Sequence, residues 1–316
     1  MSQLVQFEGV TKRYGSRTVI DNLSFSVDER GVTGLLGPNG AGKSTAMRLL
    51  LSVARANAGR ISLFGAAPGT AEYRRAIHRV GAHVEEPALY DNASGRANLE
   101  LQAVSLGISR RDPRIARLLD QVGLSARGGD RVKKYSLGMR QRLGLALALV
   151  NEPELVILDE PTNGLDPAGV VEIRELIRSL PAGGTTVLVS SHVLAEIQRT
   201  ADHLVIIDQG WLVADGTVAE VLAGADRSGH LVRVADTQRT VAAAALEAIG
   251  LIVAADDDGM LVVTGEISGG AQIARALAVA DVYPDELRPR GNDLEAAFLR
   301  ITGGVSGDTG GPKAAK

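Results

Sequence analysis

The sequence predicts an α/β protein of two domains, an α/β domain at residues 1–225 followed by a smaller α+β domain at residues 228–302. The chain has 316 residues and is 45% apolar, which is enough for two hydrophobic cores. Short apolar runs alternate with helical segments before residue 225, as in parallel sheets. Beyond residue 228, strand-like and helical segments follow the order β-α-β-β-α-β. The two patterns predict two independent cores.

The first domain begins with an alternation of apolar Val5, Phe7 and Val10, which predicts an edge hairpin. A helix is expected after residue 43, where Met47 and Leu50 have helical spacing. Residues 94–150 are rich in Leu and Arg and are expected to form a helical insert. Three apolar runs predict buried parallel strands: residues 32–36, 155–158 and 186–190.

The second domain is predicted from a strand–helix alternation and one strong turn signal. Two alternating runs flank Asp256-Asp257-Asp258-Gly259, which indicates a hairpin. The order of elements is typical of the ferredoxin-like fold. Residues 303–316 have no apolar periodicity and are expected to be a disordered tail. The expected strands are 230–235, 251–255, 260–264 and 282–287, and the expected helices are 241–249, 270–280 and 292–301.

Composition excludes several classes of function. A net charge of −3 and a pI near 6.0 give no electrostatic reason to bind nucleic acid. The chain has no cysteine, which excludes disulfides, thiolate metal sites and thiol catalysis. Charges near the amino terminus disfavour a secretory signal, and apolar runs are shorter than the roughly 20 residues of a membrane helix. We therefore expect a soluble chain, or one held at a membrane by another protein.

A glycine-rich segment between a predicted strand and helix carries the clearest chemistry. Its spacing fits G-x-x-x-x-G-K-[ST], in which backbone N–H groups and the helix N-terminus bind phosphate oxygens. Lys43 is expected to reach the β- and γ-phosphates of ATP, and the Ser44 hydroxyl to bind Mg²⁺. An ordinary glycine-rich turn is the alternative, which the flanking strand and helix disfavour. The predicted nucleotide-binding residues are Gly37, Pro38, Asn39, Gly40, Ala41, Gly42, Lys43, Ser44 and Thr45.

Two carboxylates end the apolar strand at residues 155–158. Asp159 stands where a Mg²⁺-organising acid belongs in a P-loop NTPase. Glu160 follows it, where it is expected to orient or deprotonate the attacking water. Acid pairs after strands also cap helices, but the glycine-rich segment favours the catalytic interpretation. Among the histidines, His78, His83, His203 and His230 are interpreted as structural.

Four further motifs identify a family. Residues 135–142, YSLGMRQR, resemble the signature motif of ABC transporter nucleotide-binding subunits, and residues 163–166, NGLD, resemble their D-loop. His192, after a Ser-Ser pair, resembles the switch histidine, and Tyr14 the aromatic residue that stacks on adenine. The order and spacing match from residue 4 to about 222. The resemblance implies a P-loop ATPase core that carries the helical insert.

The resemblance also implies partners and roles. Two copies are expected to pack head to tail around two ATP molecules, so that Ser136 and Gly138 of one chain contact the γ-phosphate held by the other. Ser136 is also suited to be a helix N-cap. Asp166 and His192 are expected to act in catalysis with Lys43 and Glu160. An integral-membrane permease is the implied partner.

The sequence departs from the common family pattern at two places. Glu85 stands where the family has a Mg²⁺-contacting Gln, so Glu85 is a predicted metal ligand. Leu137 and Met139 replace a Gly and a Gln of the signature. Both departures resemble bacitracin-resistance and lantibiotic-immunity ATPases, and residues 293–299 resemble the tail of drug-exporting ones. The subfamily resemblance implies export of a drug, antibiotic or peptide.

The prediction is therefore an ATPase that works with a separate permease, peripherally bound at the cytoplasmic face of the cell membrane. An importer ATPase subunit shares every catalytic motif and remains an alternative. A soluble ABC protein acting on ribosomes or DNA is a second alternative, disfavoured by the single cassette and the negative net charge. A non-hydrolysing regulatory protein is disfavoured by the intact catalytic residues.

Overall fold

The computed structural model describes residues 3–84, 89–225, 229–255, 259–265, 267 and 269–289. The chain divides between Val218 and Ala219 into two compact units. The domain boundaries predicted at 225 and 228 stay predictions. Glu85, the helix predicted at 292–301 and the tail predicted at 303–316 lie outside the described residues.

The first unit contains two sheets and the helices that flank them. In chain order its elements are β1 (Gln3–Tyr14), β2 (Arg17–Asp28), β3 (Val32–Leu36), α1 (Lys43–Leu50), β4 (Ala58–Leu63), α2 (Ala71–Ile77), β5 (Val80–His83), α3 (Gly95–Ser105), α4 (Arg114–Gln121), α5 (Leu137–Ala148), β6 (Leu155–Leu158), α6 (Pro167–Ser179), β7 (Thr186–Ser191), α7 (Leu194–Gln198), β8 (His203–Asp208) and β9 (Trp211–Thr217), and α8 (Val218–Ala225) spans the division.

A three-stranded antiparallel sheet forms from the amino terminus in the order β2-β1-β4. The alternating apolar residues of β1 are buried, and the Phe7 and Phe25 rings stack with centroids 4.6 Å apart. The predicted hairpin of β1 and β2 is present. The expectation that it is an edge was wrong for β1, because β4 pairs with the other side of that strand.

The larger sheet has six strands in the order β5-β6-β7-β3-β8-β9. All are parallel except β9, which pairs antiparallel with β8. The three predicted core strands are confirmed as β3, β6 and β7, and each is fully buried, as expected of a sheet covered on both faces. Since parallel strands end at the same edge, the segments after β3, β6 and β7 meet there.

Helices α3, α4 and α5 lie in the stretch predicted to be a helical insert. The amphipathic pattern of α4 buries Ile115, Leu118 and Leu119, which is the i, i+3, i+4 spacing of one helix face. Among the described residues, no helix is both long enough and apolar enough to cross a membrane.

The described residues of the second unit form one antiparallel sheet and, after α8, two further α-helices. Its elements are β10 (Gly229–Arg233), α9 (Arg239–Glu247), β11 (Ile252–Ala255), β12 (Leu261–Thr264), α10 (Gly270–Val279) and β13 (Glu286–Pro289). The strand order is β11-β12-β10-β13. The elements alternate as expected, and the ferredoxin-like assignment stays a prediction. The last strand was expected at 282–287 but begins at Glu286, after Pro284, which has no N–H for a strand ladder.

Candidate active site

The glycine-rich loop between β3 and α1 depends on two glycines. A Cβ added at Gly37 would lie 2.2 Å from the carbonyl oxygen of Ile207 on β8, so the loop lies against that strand. Gly42 has φ 112° and brings no side chain to cap α1. The first N–H groups of α1 therefore have no acceptor from a capping side chain, and a helix end of this kind favours anions. This cradle fits a nucleotide phosphate.

Lys43 is the cation of this loop and only 5% exposed. Its Nζ donates to the carbonyl oxygens of Gly37, at 2.7 Å, and Pro38, at 3.2 Å. It also lies 3.2 Å from Glu160 Oε1. The ammonium group is thus fixed within the loop, with the acid that follows β6 beside it.

The two acids after β6 are held by Ser190, the last residue but one of β7. Ser190 is fully buried, and its hydroxyl donates to Asp159 Oδ1 at 2.5 Å. The N–H of Glu160 in turn donates to Ser190 Oγ at 2.9 Å. In the sequence, Ser190 is recognisable only as the first residue of the Ser-Ser pair before His192. No local motif marks this contact, because only the pairing of β6 with β7 places Ser190 beside the acids.

Glu160 adopts an unusual backbone conformation. Its φ of 49° is in the left-handed region, which is unfavourable for a residue with a Cβ and concentrates at functional sites. Its Oε2 lies 2.6 Å from Nδ1 of His192, while Oε1 faces Lys43. The structure thus joins three predicted catalytic residues, one each after β6 and β7 and one at the start of α1.

The remaining predicted catalytic residue, Asp166, caps a helix. Its carboxylate accepts a hydrogen bond from the N–H of Gly169 at 3.1 Å, at the start of α6. Between Glu160 and Asp166, the Thr162 hydroxyl donates to Glu196 Oε2 of α7 at 2.5 Å. The segment is therefore tied to the helix that follows His192. A catalytic role for Asp166 stays a prediction.

The signature motif opens helix α5. Ser136 is its N-cap and accepts from the N–H of Met139 at 3.3 Å, which is the structural role expected beside the functional one. A Cβ at Gly138 would meet only the Leu165 side chain, at 3.7 Å. A Cβ at Gly164 would lie 3.0 Å from Leu137. The signature motif and the D-loop are thus neighbours, and Ser136 and Gly138 as ligands of a partner's nucleotide stay a prediction.

Tyr14 ends β1 and is about half exposed. Lys12 Nζ lies 4.5 Å from the centroid of its ring. The hairpin that carries Tyr14 lies beside the phosphate loop, because a Cβ at Gly42 would be 3.0 Å from the Val19 carbonyl oxygen. Stacking of adenine on Tyr14 stays a prediction.

The predicted metal ligands are only partly placed. Ser44 is half-buried in the first turn of α1, Thr45 beside it is buried, and Asp159 is buried at the end of β6. The described residues contain no group of three or more His, Asp or Glu able to hold a metal ion. A hydroxyl and a carboxylate nevertheless fit Mg²⁺, which binds through few protein oxygens and shares substrate phosphates. Glu85 is outside the described residues.

His83, interpreted as structural from the sequence, lies buried at the end of β5. Its Nε2 is 2.7 Å from Oε1 of Gln141 on α5. Its carbonyl oxygen accepts from the N–H of Asp159 at 2.8 Å. Burial lowers the pKa of His83, although its bond with Gln141 and the charge of Asp159 act in the opposite direction. Because Oε1 of Gln141 can only accept, Nε2 of His83 is the donor in this bond.

Comparisons with known proteins agree with the geometry. A family model described as ABC transporter matches residues 20–163. The daunorubicin resistance ATP-binding protein DrrA3 of Streptomyces coeruleorubidus is 38% identical over 306 residues, which cover 95% of this chain and 96% of that protein. The bacitracin transport ATP-binding protein BcrA of Bacillus licheniformis is 42% identical over 216 residues, covering 68% of this chain and 70% of that protein.

A solved structure described as the ATP-binding subunit of an ABC transporter has a TM-score of 0.63 to this chain at 29% identity, over 70% of this chain and 92% of that one. The predicted ATPase fold and family are confirmed, and so is the resemblance to drug-resistance and bacitracin-transport proteins. The chain belongs to the ATP-binding proteins of ABC transporters.

Proposed function

We propose that this chain hydrolyses ATP with Mg²⁺ and powers export of a drug, antibiotic or peptide through a separate permease. The observation that carries the hydrolytic assignment is the placement of the Glu160 carboxylate. It lies between Lys43 Nζ, at 3.2 Å, and His192 Nδ1, at 2.6 Å, directly after Asp159. A carboxylate held beside the phosphate-binding cation suits a group that orients or deprotonates water.

The arrangement suggests a role for each residue of the site. The loop N–H groups and Lys43 bind the β- and γ-phosphates, and a bound phosphate competes with Glu160 for the ammonium group. This exchange frees Oε1 of Glu160 to accept a proton from water, while Oε2 remains oriented by His192. Mg²⁺, held by Ser44 and Asp159, would neutralise phosphate charge.

The proposed active form is a head-to-tail dimer. The N-terminus of α5, where Ser136 is the cap, is a second anion site of this chain, because its N–H groups and the helix dipole favour negative charge. A second copy would bring this end to the γ-phosphate of its partner. Each hydrolytic site would then need residues of both chains.

The transport assignment is supported by the relatives. DrrA3 is named for daunorubicin resistance and BcrA for bacitracin transport. Both names favour export of an antibiotic-like compound over import and over a soluble role. The permease would hold this chain peripherally at the cytoplasmic face of the membrane.

The decisive experiment reconstitutes the chain in inside-out vesicles with a candidate ABC permease from the same genome. We expect ATP-dependent accumulation of a fluorescent anthracycline or of labelled bacitracin, abolished by Glu160→Gln. The matched control is Glu154→Gln, since Glu154 precedes β6 at the opposite end of the strand and pairs with Arg79. Depletion rather than accumulation would indicate an importer, and ATPase activity indifferent to the permease would indicate a soluble protein.

A further inference from the structure

We propose that the His83–Gln141 hydrogen bond sets the angle of helix α5 against the catalytic sheet, and so positions Ser136 for the nucleotide of the partner chain. This inference rests on the proposed head-to-tail dimer. His83 is then a positioning residue, because it acts through α5 and touches no substrate.

Two of the contacts between helix α5 and strand β5 are close enough to position the helix. At the first, a Cβ on Gly81 would lie 1.9 Å from the carbonyl oxygen of Ala148, so the end of the helix rests directly on the strand backbone. At the second, Nε2 of His83 is 2.7 Å from Oε1 of Gln141. The helix therefore runs along the strand from the Gly81–Ala148 contact to the His83–Gln141 contact. Together the two contacts fix the direction of the helix axis, whereas the first alone would let the helix tilt about it.

The distance along α5 from Ala148 to Ser136 is long enough for a small tilt of the helix to displace Ser136. Ser136 is twelve residues from Ala148, or roughly 18 Å at the helical rise. A tilt of about 10° about the Gly81 contact would move Ser136 by about 3 Å. Catalytic groups need placement to about 0.5 Å. The displacement of Ser136 that would follow loss of the His83–Gln141 contact exceeds this tolerance.

The other polar contacts between this half of the helix and the rest of the chain are made by Arg140 and Arg142. Arg142 Nη1 donates to the Val122 carbonyl oxygen at 3.4 Å, which is long for a hydrogen bond. Arg140 pairs with Asp91 at 2.7 Å, and Arg142 with Glu172 at 3.4 Å, with the acids in both pairs more than half exposed. Such pairs are weak constraints in water. The bond between His83 and Gln141 is buried, where an unmade hydrogen bond is costly.

His83 also connects the helix to the chemistry of its own chain. Its carbonyl oxygen accepts the N–H of Asp159, and Leu158 is its strand partner. His83 thus connects the end of β6, which carries Asp159, to helix α5, which in the proposed dimer contacts the nucleotide of the other chain. In the proposed dimer, His83 would therefore contact elements of both composite sites.

The test uses full-length heterodimers purified through two different tags. One protomer carries Lys43→Ala and the other is wild type, so the only intact site combines the wild-type phosphate loop with the α5 helix of the Lys43→Ala protomer. Adding His83→Leu to the Lys43→Ala protomer should lower kcat roughly tenfold. Affinity for ATP at the wild-type loop should change less than about twofold, since that loop is untouched.

Three further variants separate positioning from folding. His83→Gln places a donor near the position of Nε2 and should restore most of the lost kcat. Gln141→Leu should reproduce the defect, and the double variant should be no worse than either single one. Tyr73→Phe removes another buried hydrogen bond, from the Tyr73 hydroxyl to the Leu50 carbonyl, and should lower the melting temperature without this loss of kcat.

The outcomes are distinguishable. An unchanged kcat in the His83→Leu heterodimer, or no recovery with His83→Gln, would overturn the inference. An inactive reference heterodimer, or one indifferent to Ser136→Arg in its Lys43→Ala protomer, would instead overturn the proposed head-to-tail dimer.

Discussion

Lys43 Nζ and Glu160 Oε1 lie 3.2 Å apart, so the cation of the phosphate loop and the proposed catalytic acid form an ion pair. Both side chains are largely shielded from water, which strengthens their interaction. A phosphate that takes over Lys43 must compete with this carboxylate. On the proposed function, nucleotide binding at Lys43 would therefore be coupled to release of the Glu160 carboxylate.

Glu160→Gln should lower kcat by at least about 100-fold, because the amide cannot accept a proton. ATP should bind at least as tightly as to wild type, since the competing charge beside Lys43 is gone. The variant should also accumulate as a closed dimer with ATP. The measurements are steady-state ATPase activity and fluorescent nucleotide titration. A kcat comparable to wild type would remove Glu160 from its proposed role.

Lys43→Ala should weaken ATP binding by roughly 10-fold to 100-fold, because it removes a charge-assisted donor from a site that holds several negative charges. Calorimetric titration with an ATP analogue measures the loss. Arg74→Ala, which removes an exposed cation of α2, is the control for net charge. Equal affinities for Lys43→Ala and wild type would contradict the phosphate-loop assignment.

Ser190→Ala should lower kcat about tenfold and raise the Mg²⁺ concentration needed for half-maximal rate. The variant leaves Asp159 Oδ1 and the Glu160 N–H without the hydroxyl that joins them. Ser179→Ala is the control, since that hydroxyl bonds only a helix carbonyl. Coincident Mg²⁺ curves for Ser190→Ala and wild type would show that the serine does not hold the acids.

Mixing Lys43→Ala subunits with Ser136→Arg subunits should restore part of the ATPase activity that neither homodimer has. The heterodimer has one intact composite site and one doubly damaged site. Ser94→Arg is the matched control, because Ser94 also caps an insert helix by accepting from Ala97. The Ser94→Arg homodimer should keep its ATPase activity without a second variant to complement it. Activity proportional to enzyme at all dilutions, with a monomer by light scattering, would refute trans completion.

Glu85→Gln should weaken the Mg²⁺ dependence of hydrolysis and impair transport more than ATP binding. The reason is that Gln offers Mg²⁺ a neutral oxygen where Glu offers a full charge. ATPase activity against Mg²⁺ concentration, with transport in permease vesicles, tests it. Glu86→Gln is the matched control, and superimposable results for Glu85→Gln and wild type would remove Glu85 from its predicted role as a metal ligand.

The strand ends that carry Lys43 and Asp159 were predictable because each is marked by the local sequence. A buried strand followed by glycines and a helix led directly to Lys43, and the apolar run before Asp159 led to β6. These signals lie within about ten residues of the groups they place. The pairing of β1 with β4 was missed, since it joins residues far apart in sequence and β4 begins with exposed residues.

The hydrogen bonds that position the site residues were not predictable, because they too join residues far apart in sequence. His83 and Gln141 are 58 residues apart, and Ser190 and Asp159 are 31 apart. Neither pair has a spacing that a local motif records, and each partner alone is an ordinary strand or helix residue. Only the order of strands in the sheet brings them within hydrogen-bond distance.

The left-handed backbone of Glu160 has a consequence for the evolution of stability in this chain. A residue with a Cβ at φ 49° costs on the order of 1 kcal/mol, which Gly would not incur. Glu160→Gly would relieve this strain, but it would leave the shielded Lys43 ammonium without its carboxylate, so we expect an inactive protein with no gain in thermostability. Selection for heat resistance alone would therefore not favour Gly here, because the ion pair offsets the backbone cost.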